Sequence, residues 1–141
     1  MKRTASALWH GDLKNGKGSL STASGVLQQT QYSFGTRFEH GTGTNPEELI
    51  AAAHAGCFAM AFSAELGKAG FTPAAIAATA TVTLDKTDAG WTVTESHLDM
   101  TAKIPGIDTA QFNAIANGAK AGCPISRLLN AKVTLAAKLE S

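Results

Sequence analysis

The sequence predicts an α+β fold in which mostly antiparallel sheets pack on a long central helix. Three observations carry this. A strong helix-start signal at residues 44–46 opens a run with no Asp, Glu, Lys or Arg between Glu48 and Glu65. Stretches alternating at period two stand on both sides of that run, and neighbouring ones are joined by short turn-rich segments. Strands and helices do not alternate one for one, so a parallel βα sheet is not expected. The 141 residues are read as one domain, 1–141.

The central helix has the clearest signals. Thr44 or Asn45 can cap its open amides, and Pro46 suits the first helical position because its missing N–H has no partner there. Glu47 and Glu48 complement the positive end of the helix dipole, and Thr44 with Glu47 has capping-box spacing. The uncharged run is too short to span a bilayer and reads as a buried core helix. Its small residues, Ala51, Ala52, Ala53, Ala55, Gly56, Ala59 and Ala61, permit close approach by another helix. Cys57, one of two cysteines, sits in the middle.

Ahead of this helix, residues 4–20 read as a hairpin with Trp9 and Leu13 in the first arm and Asn15-Gly16 as a type I′ turn signal. Residues 32–39 alternate as a strand, with Tyr32, Phe34 and Phe38 on one face and Arg37 opposite. His40-Gly41-Thr42-Gly43 is a loop; no Gly-Lys-Ser/Thr follows, so it lacks the rest of a phosphate cradle. Behind the helix, Gly67, Gly70 and Pro73 are stop signals. Residues 75–86 alternate through Ala78, Ala80, Val82 and Leu84. Residues 91–103 alternate through Val93, Glu95, His97 and Asp99, and Thr87-Asp88-Ala89-Gly90 joins the two as a hairpin. Asp108 or Thr109 caps a second helix with Phe112, Ile115, Ala116 and Ala119 at helical spacing. Cys123-Pro124 restarts a short helix, and residues 131–139 close the chain as a strand.

Composition narrows the function. A net charge of +1 gives no electrostatic case for nucleic acid or an anionic membrane as partner. The first residues lack an apolar core of signal-peptide length, so a cytoplasmic location is expected. Two cysteines in that compartment are read as free thiols or a redox pair. They are too far apart for a Cys-x-x-Cys unit, and no metal site or bound cofactor is expected. As inert core residues they would be ordinary. Against that, Cys123 directly precedes a proline-started helix, where open amides favour a thiolate. Cys57, in mid-helix, must be activated from elsewhere in the fold. Two cysteines so differently placed suit a thiol peroxidase, in which one attacks and the other resolves.

Three further residues join them. Arg37 can hold a thiolate and stabilise charge on a breaking O–O bond, and Glu47 can hold that guanidinium or simply cap its helix. His54, one turn before Cys57, can be a general base or a hydrogen-bonded core residue. Glu47 and Cys57 are ten residues apart, roughly 15 Å at the helical rise, and cannot meet within one helix. They can meet between two antiparallel copies crossing near Ala52.

Asn45-Pro46-Glu47-Glu48-Leu49-Ile50-Ala51-Ala52-Ala53-His54-Ala55-Gly56-Cys57-Phe58 resembles the central-helix signature of the osmotically inducible protein C and organic hydroperoxide resistance family. Ala121-Gly122-Cys123-Pro124-Ile125-Ser126 resembles its second cysteine motif. Thr36-Arg37-Phe38-Glu39 and His54 are more similar to the osmotically inducible branch. The resemblance implies a cysteine-based peroxidase built as an intertwined homodimer with two active sites at the interface. It implies Cys57 as peroxidatic and Cys123 as resolving cysteine, Glu47 as acidic partner and Arg37 as the activating arginine. It also implies a hydroperoxide substrate, organic ones preferred over hydrogen peroxide, and a dithiol reductant, lipoyl groups among the candidates. Phe58, Met60 and Phe62 are candidates for an apolar lining. Two other readings fit the residues: a thiol hydrolase or transferase using Cys57 with His54, and a non-catalytic dimer whose groove takes an apolar ligand.

Overall fold

The computed structural model describes residues 1–141. It is α+β, with two three-stranded sheets and one long helix, and the chain divides into compact units at Met1–Leu49 and Ile50–Ser141.

The first unit holds β1 (Ala5–His10), β2 (Lys17–Thr22) and β3 (Thr30–Tyr32) as an antiparallel sheet in that order. His10 pairs with Lys17, so the hairpin loop is longer than the two-residue turn read from Asn15-Gly16. Asp12 organises this loop: its Oδ1 accepts from the Lys14 and Asn15 amides, and its carbonyl accepts from the Gly16 N–H. Leu13 therefore lies in the loop and not in the first arm. Gly18, on β2, is buried beneath the Trp9 and Tyr32 rings, and a Cβ there would collide with both.

The strand expected over residues 32–39 stops at Tyr32. Phe34–Phe38 is a short helix, α1, because Ser33 and Thr36 form a reciprocal capping box that outweighs the alternating pattern. Phe34 and Phe38, four apart, meet as a helical pair with ring centroids 5.0 Å apart.

Helix α2 (Pro46–Lys68) starts where the signals place it, with Asn45 as cap: the Glu48 N–H donates to Asn45 Oδ1 at 2.8 Å. The expected Thr44–Glu47 box does not form: with Asn45 as the cap the third helical residue is Glu48, and the Glu47 carboxylate binds Arg37. At 23 residues the helix is longer than its uncharged run, and by length and composition alone it could cross a membrane. One face does belong to a core: His54, Phe58, Phe62 and Leu66, spaced by four, are fully buried. The opposite face, with Ala52, Ala53, Gly56, Met60, Ser63 and Ala64, is exposed in the single chain.

That core lies in the second unit. β4 (Ala75–Thr87) and β5 (Gly90–Lys103) form the expected antiparallel hairpin, and β6 (Lys132–Glu140) joins β5 in parallel. The parallel pairing follows from α3 (Thr109–Gly122) and α4 (Pro124–Leu128), which return the chain to the end where β5 began. Ser96, Leu98, Met100 and Ala102 are the buried face of β5. Phe62 stacks parallel to Phe58 and edge-on to Phe112 of α3, whose cap is Asp108.

Candidate active site

The four residues expected to carry chemistry form two pairs, one in each unit. In the first, α1 and the opening turn of α2 set Arg37 against Glu47. Nε lies 3.2 Å from both carboxylate oxygens, and Nη2 donates to Oε1 at 2.7 Å. Glu47 is 8% exposed, so this carboxylate is largely removed from water and held by a charge-assisted, two-nitrogen contact. The guanidinium carbon also sits 5.2 Å from the centre of the Phe38 ring. Its Nη1 has no hydrogen-bond partner in the chain, and Arg37 lines an apolar cavity of about 320 Å³ with Trp9, Leu13, Tyr32, Phe34 and Phe38.

In the second unit, Cys57 of α2 meets Cys123, which closes α3 and opens α4. Both are free thiols, and their sulfurs share a hydrogen bond at 3.0 Å. Disulfide closure needs an S–S distance of about 2.05 Å, so the pair can be bridged with small side-chain rotations. The two thiols are not equivalent. Burial pushes Cys57 up, and its hydrogen bond to Cys123 pushes it further; the Ile125 amide acts the other way without reversing the sign. Burial also works against a Cys123 thiolate, but the Cys57 thiol, the Ser126 amide and hydroxyl and the Ile125 amide outweigh it, and Cys123 is lowered. Within this unit the first proton therefore leaves Cys123, as expected from its position before Pro124. Cys57 has no cation among its local partners.

His54 is not a free base. It is fully buried, with Nδ1 2.7 Å from Ser96 Oγ and Nε2 2.7 Å from Ser126 Oγ. Burial pulls its pKa below 6.5, so the ring is neutral near pH 7. Both nitrogens being committed, the hydrolase reading that pairs His54 with Cys57 loses its base. The apolar lining expected from Phe58, Met60 and Phe62 is also corrected: the two phenylalanines are sealed in the core, and Met60 is 76% exposed. Ser96 and Ser126 were not singled out by sequence reasoning. Ser126 had a signal, standing three residues after the cap residue Cys123, whereas Ser96 is one serine in an alternating strand.

Two thiols within bonding reach, one favoured as thiolate, define a two-cysteine thiol enzyme on an α+β scaffold. Comparison with known proteins places it more narrowly. The OsmC-like protein family profile matches residues 39–138, a span that contains Glu47, Cys57 and Cys123 and begins just after Arg37. Peroxiredoxin OsmC of Escherichia coli is 56% identical over 135 residues, covering 96% of this chain and 94% of that protein. The organic hydroperoxide resistance protein OhrB of Bacillus subtilis shares the fold, with a TM-score of 0.68 at 22% identity over 97% of this chain and 98% of that one. An organic hydroperoxide resistance protein OsmC from Legionella pneumophila superposes with a TM-score of 0.68 at 25% identity, covering 98% and 97%. The chain belongs to the OsmC-like protein family.

Proposed function

We propose the following cycle for this chain, which is a cysteine-based peroxidase acting on hydroperoxides. The Cys57 thiolate attacks the distal oxygen of the hydroperoxide. An S–O bond forms, the O–O bond breaks, and the alkoxide takes a proton and leaves as the alcohol. Cys123 then attacks the Cys57 sulfenic sulfur: the S–S bond forms and the S–O bond breaks. Hydroxide leaves with the Cys123 proton as water. A dithiol reduces the disulfide by exchange, itself becoming a disulfide. The observation that carries this reading is the 3.0 Å approach of two thiols in unequal surroundings.

Cys57 has no local cation, so its thiolate must be stabilised from outside its unit. We assign that role to the Arg37–Glu47 pair of one protomer acting on Cys57 of the partner subunit in an intertwined homodimer. Two features support a dimer. The first unit contains no fully buried apolar side chain, and Leu8, Leu13 and Val26 are 58%, 64% and 83% exposed. A segment of that size does not hold itself together without such a core. The second feature is the uncharged, small-residue face of α2, which is exposed in one chain. The cavity beside Arg37 suits the hydrocarbon part of an organic hydroperoxide and favours it over hydrogen peroxide. Reductant dithiols, lipoyl-type ones included, and a cytoplasmic location belong to the same proposal.

Counting thiols before and after one equivalent of hydroperoxide tests it. Loss of both thiols together supports the cycle. Loss of neither supports an apolar-ligand-binding dimer, and acylation of Cys57 by an ester supports a transferase.

A further inference from the structure

His54 is the one histidine sealed in the core, and the cycle above does not use it. Carried by α2, its ring reaches two other elements: Nδ1 lies 2.7 Å from Ser96 Oγ of β5, and Nε2 lies 2.7 Å from Ser126 Oγ of α4. Both bonds form wherever the ring proton sits, because a neutral imidazole offers one N–H and one lone pair and a hydroxyl can answer either. The α4 end of this contact is a lightly held piece of chain. Helix α4 has five residues, no side-chain cap bond and no fully buried side chain, and of its residues Ile125 alone packs against the core. Two side-chain hydrogen bonds tie this helix and its cap residue to α2. One joins Cys123 to Cys57 at 3.0 Å; the other joins Ser126 to His54. His54 precedes Cys57 by three residues and Ser126 follows Cys123 by three, close to one helical turn in each case. The two contacts are therefore successive rungs between segments that run in opposite directions.

The peroxide reaction consumes one rung. Once the Cys57 sulfur carries an oxygen, the thiol–thiol contact is gone, yet Cys123 must stay within bonding reach to displace that oxygen. We propose that the His54–Ser126 hydrogen bond is a latch that holds α4 against α2 and keeps Cys123 beside Cys57 between oxidation and disulfide closure. His54 and Ser126 are positioning residues for this step. The use of the latch in the cycle rests on the peroxidase reading; the latch itself is a property of the thiol pair. In the step it serves, the Cys123 sulfur bonds to the Cys57 sulfur as the S–O bond breaks, and hydroxide leaves with the Cys123 proton as water. If α4 swings away first, a second hydroperoxide oxidises the waiting sulfenic acid to a sulfinic acid and is itself reduced to the alcohol.

The effective concentration of one thiol for the other measures the latch without any peroxide. It is read from the fraction of Cys57–Cys123 disulfide in mixtures of reduced and oxidised glutathione. Without the latch the dithiol form gains freedom that closure must remove. Ser126→Ala should therefore lower the effective concentration about fivefold, within the span of one hydrogen bond, which raises the reduction potential by ~20 mV. Ser126→Thr keeps the hydroxyl and should restore the wild-type value. Ser96→Ala removes the other bond of His54 but leaves the rung, so it should lower the urea midpoint without moving the effective concentration. An unchanged value in folded Ser126→Ala protein overturns the proposal, and so does an equal loss in Ser96→Ala.

Hydrogen exchange covers the case of a Ser126→Ala chain that fails to fold. The Arg127 and Leu129 amides, which donate to the Cys123 and Ile125 carbonyls, report on α4. Cys57→Ala removes the sulfur rung alone, and both amides should stay as protected as in the wild-type protein; lost protection overturns the latch. With excess tert-butyl hydroperoxide, Ser126→Ala should form the Cys57 sulfenic acid at the wild-type rate and then accumulate sulfinic acid, whereas a wild-type yield of disulfide contradicts the role in the cycle. If the wild-type protein forms no sulfenic acid, the peroxidase reading fails while the glutathione equilibrium still judges the latch.

Discussion

Cys57 and Cys123 differ by what surrounds each sulfur. Burial opposes both thiolates, and the two sulfurs share one contact; beyond that, Cys123 gathers a hydroxyl and two amides and Cys57 only one amide. That asymmetry suits an enzyme whose first nucleophile is activated by another group and whose second is held ready beside it. Cys57→Ser should therefore abolish peroxide consumption, since an alcohol cannot supply the thiolate. Cys123→Ser should consume one equivalent and stop at a sulfenic acid trapped by a dimedone-type probe. Arg37→Ala should slow the first step about a hundredfold, the scale of losing one charge-stabilising donor in a transition state, read by stopped-flow peroxide consumption. His54 supplies a prediction about stability. Its pKa is depressed in the fold, so the unfolded chain binds the extra proton first as pH falls. Stability should be fully present above pH 6.5 and decline below it, towards the folded pKa. Urea midpoints at pH 7.5 and 5.5 measure this, and His54→Gln should remove that part of the decline.

At the scale of elements, α2 links both pairs, with Glu47 in its first turn and Cys57 three turns on. Asn45→Ala should cost about 1 kcal/mol through the lost cap. Phe62→Ala should cost about 3–5 kcal/mol, since the fully buried Phe62 ring packs against both Phe58 and Phe112. Chemical denaturation separates the two. Helix α2 was legible because cap, Pro46 and acidic first turn agree, and β4 and β5 because long alternation leaves one register. Helix α1 was not: over five residues, alternation and helical spacing cannot be told apart, and a Ser33–Thr36 contact decides. Glu47 was read correctly as Arg37's candidate partner, yet its capping box was not formed, because Asn45 is the cap and the third helical position falls on Glu48. Cys57 and Cys123 were legible as a pair from their motifs. The Ser96–His54–Ser126 chain depends on a strand register and was not.

For the whole molecule, the central proposal is that two chains complete each other's sites. Sedimentation should show an obligate dimer burying more than ~2,000 Å², and a folded, active monomer would sink that expectation. Mixing Cys57→Ser with Glu47→Ala protomers should give heterodimers in which one site carries both defects and the other carries neither. About half the normal activity per heterodimer should return; activity no greater than that of the separate mutants would leave Glu47 as Arg37's partner within its own chain only. The most direct measurement is mass spectrometry of the wild-type protein after one equivalent of an organic hydroperoxide. The predicted result is the loss of two hydrogens per chain, with the Cys57 and Cys123 peptides cross-linked. Stable over-oxidation of Cys57 with Cys123 still a free thiol would contradict it.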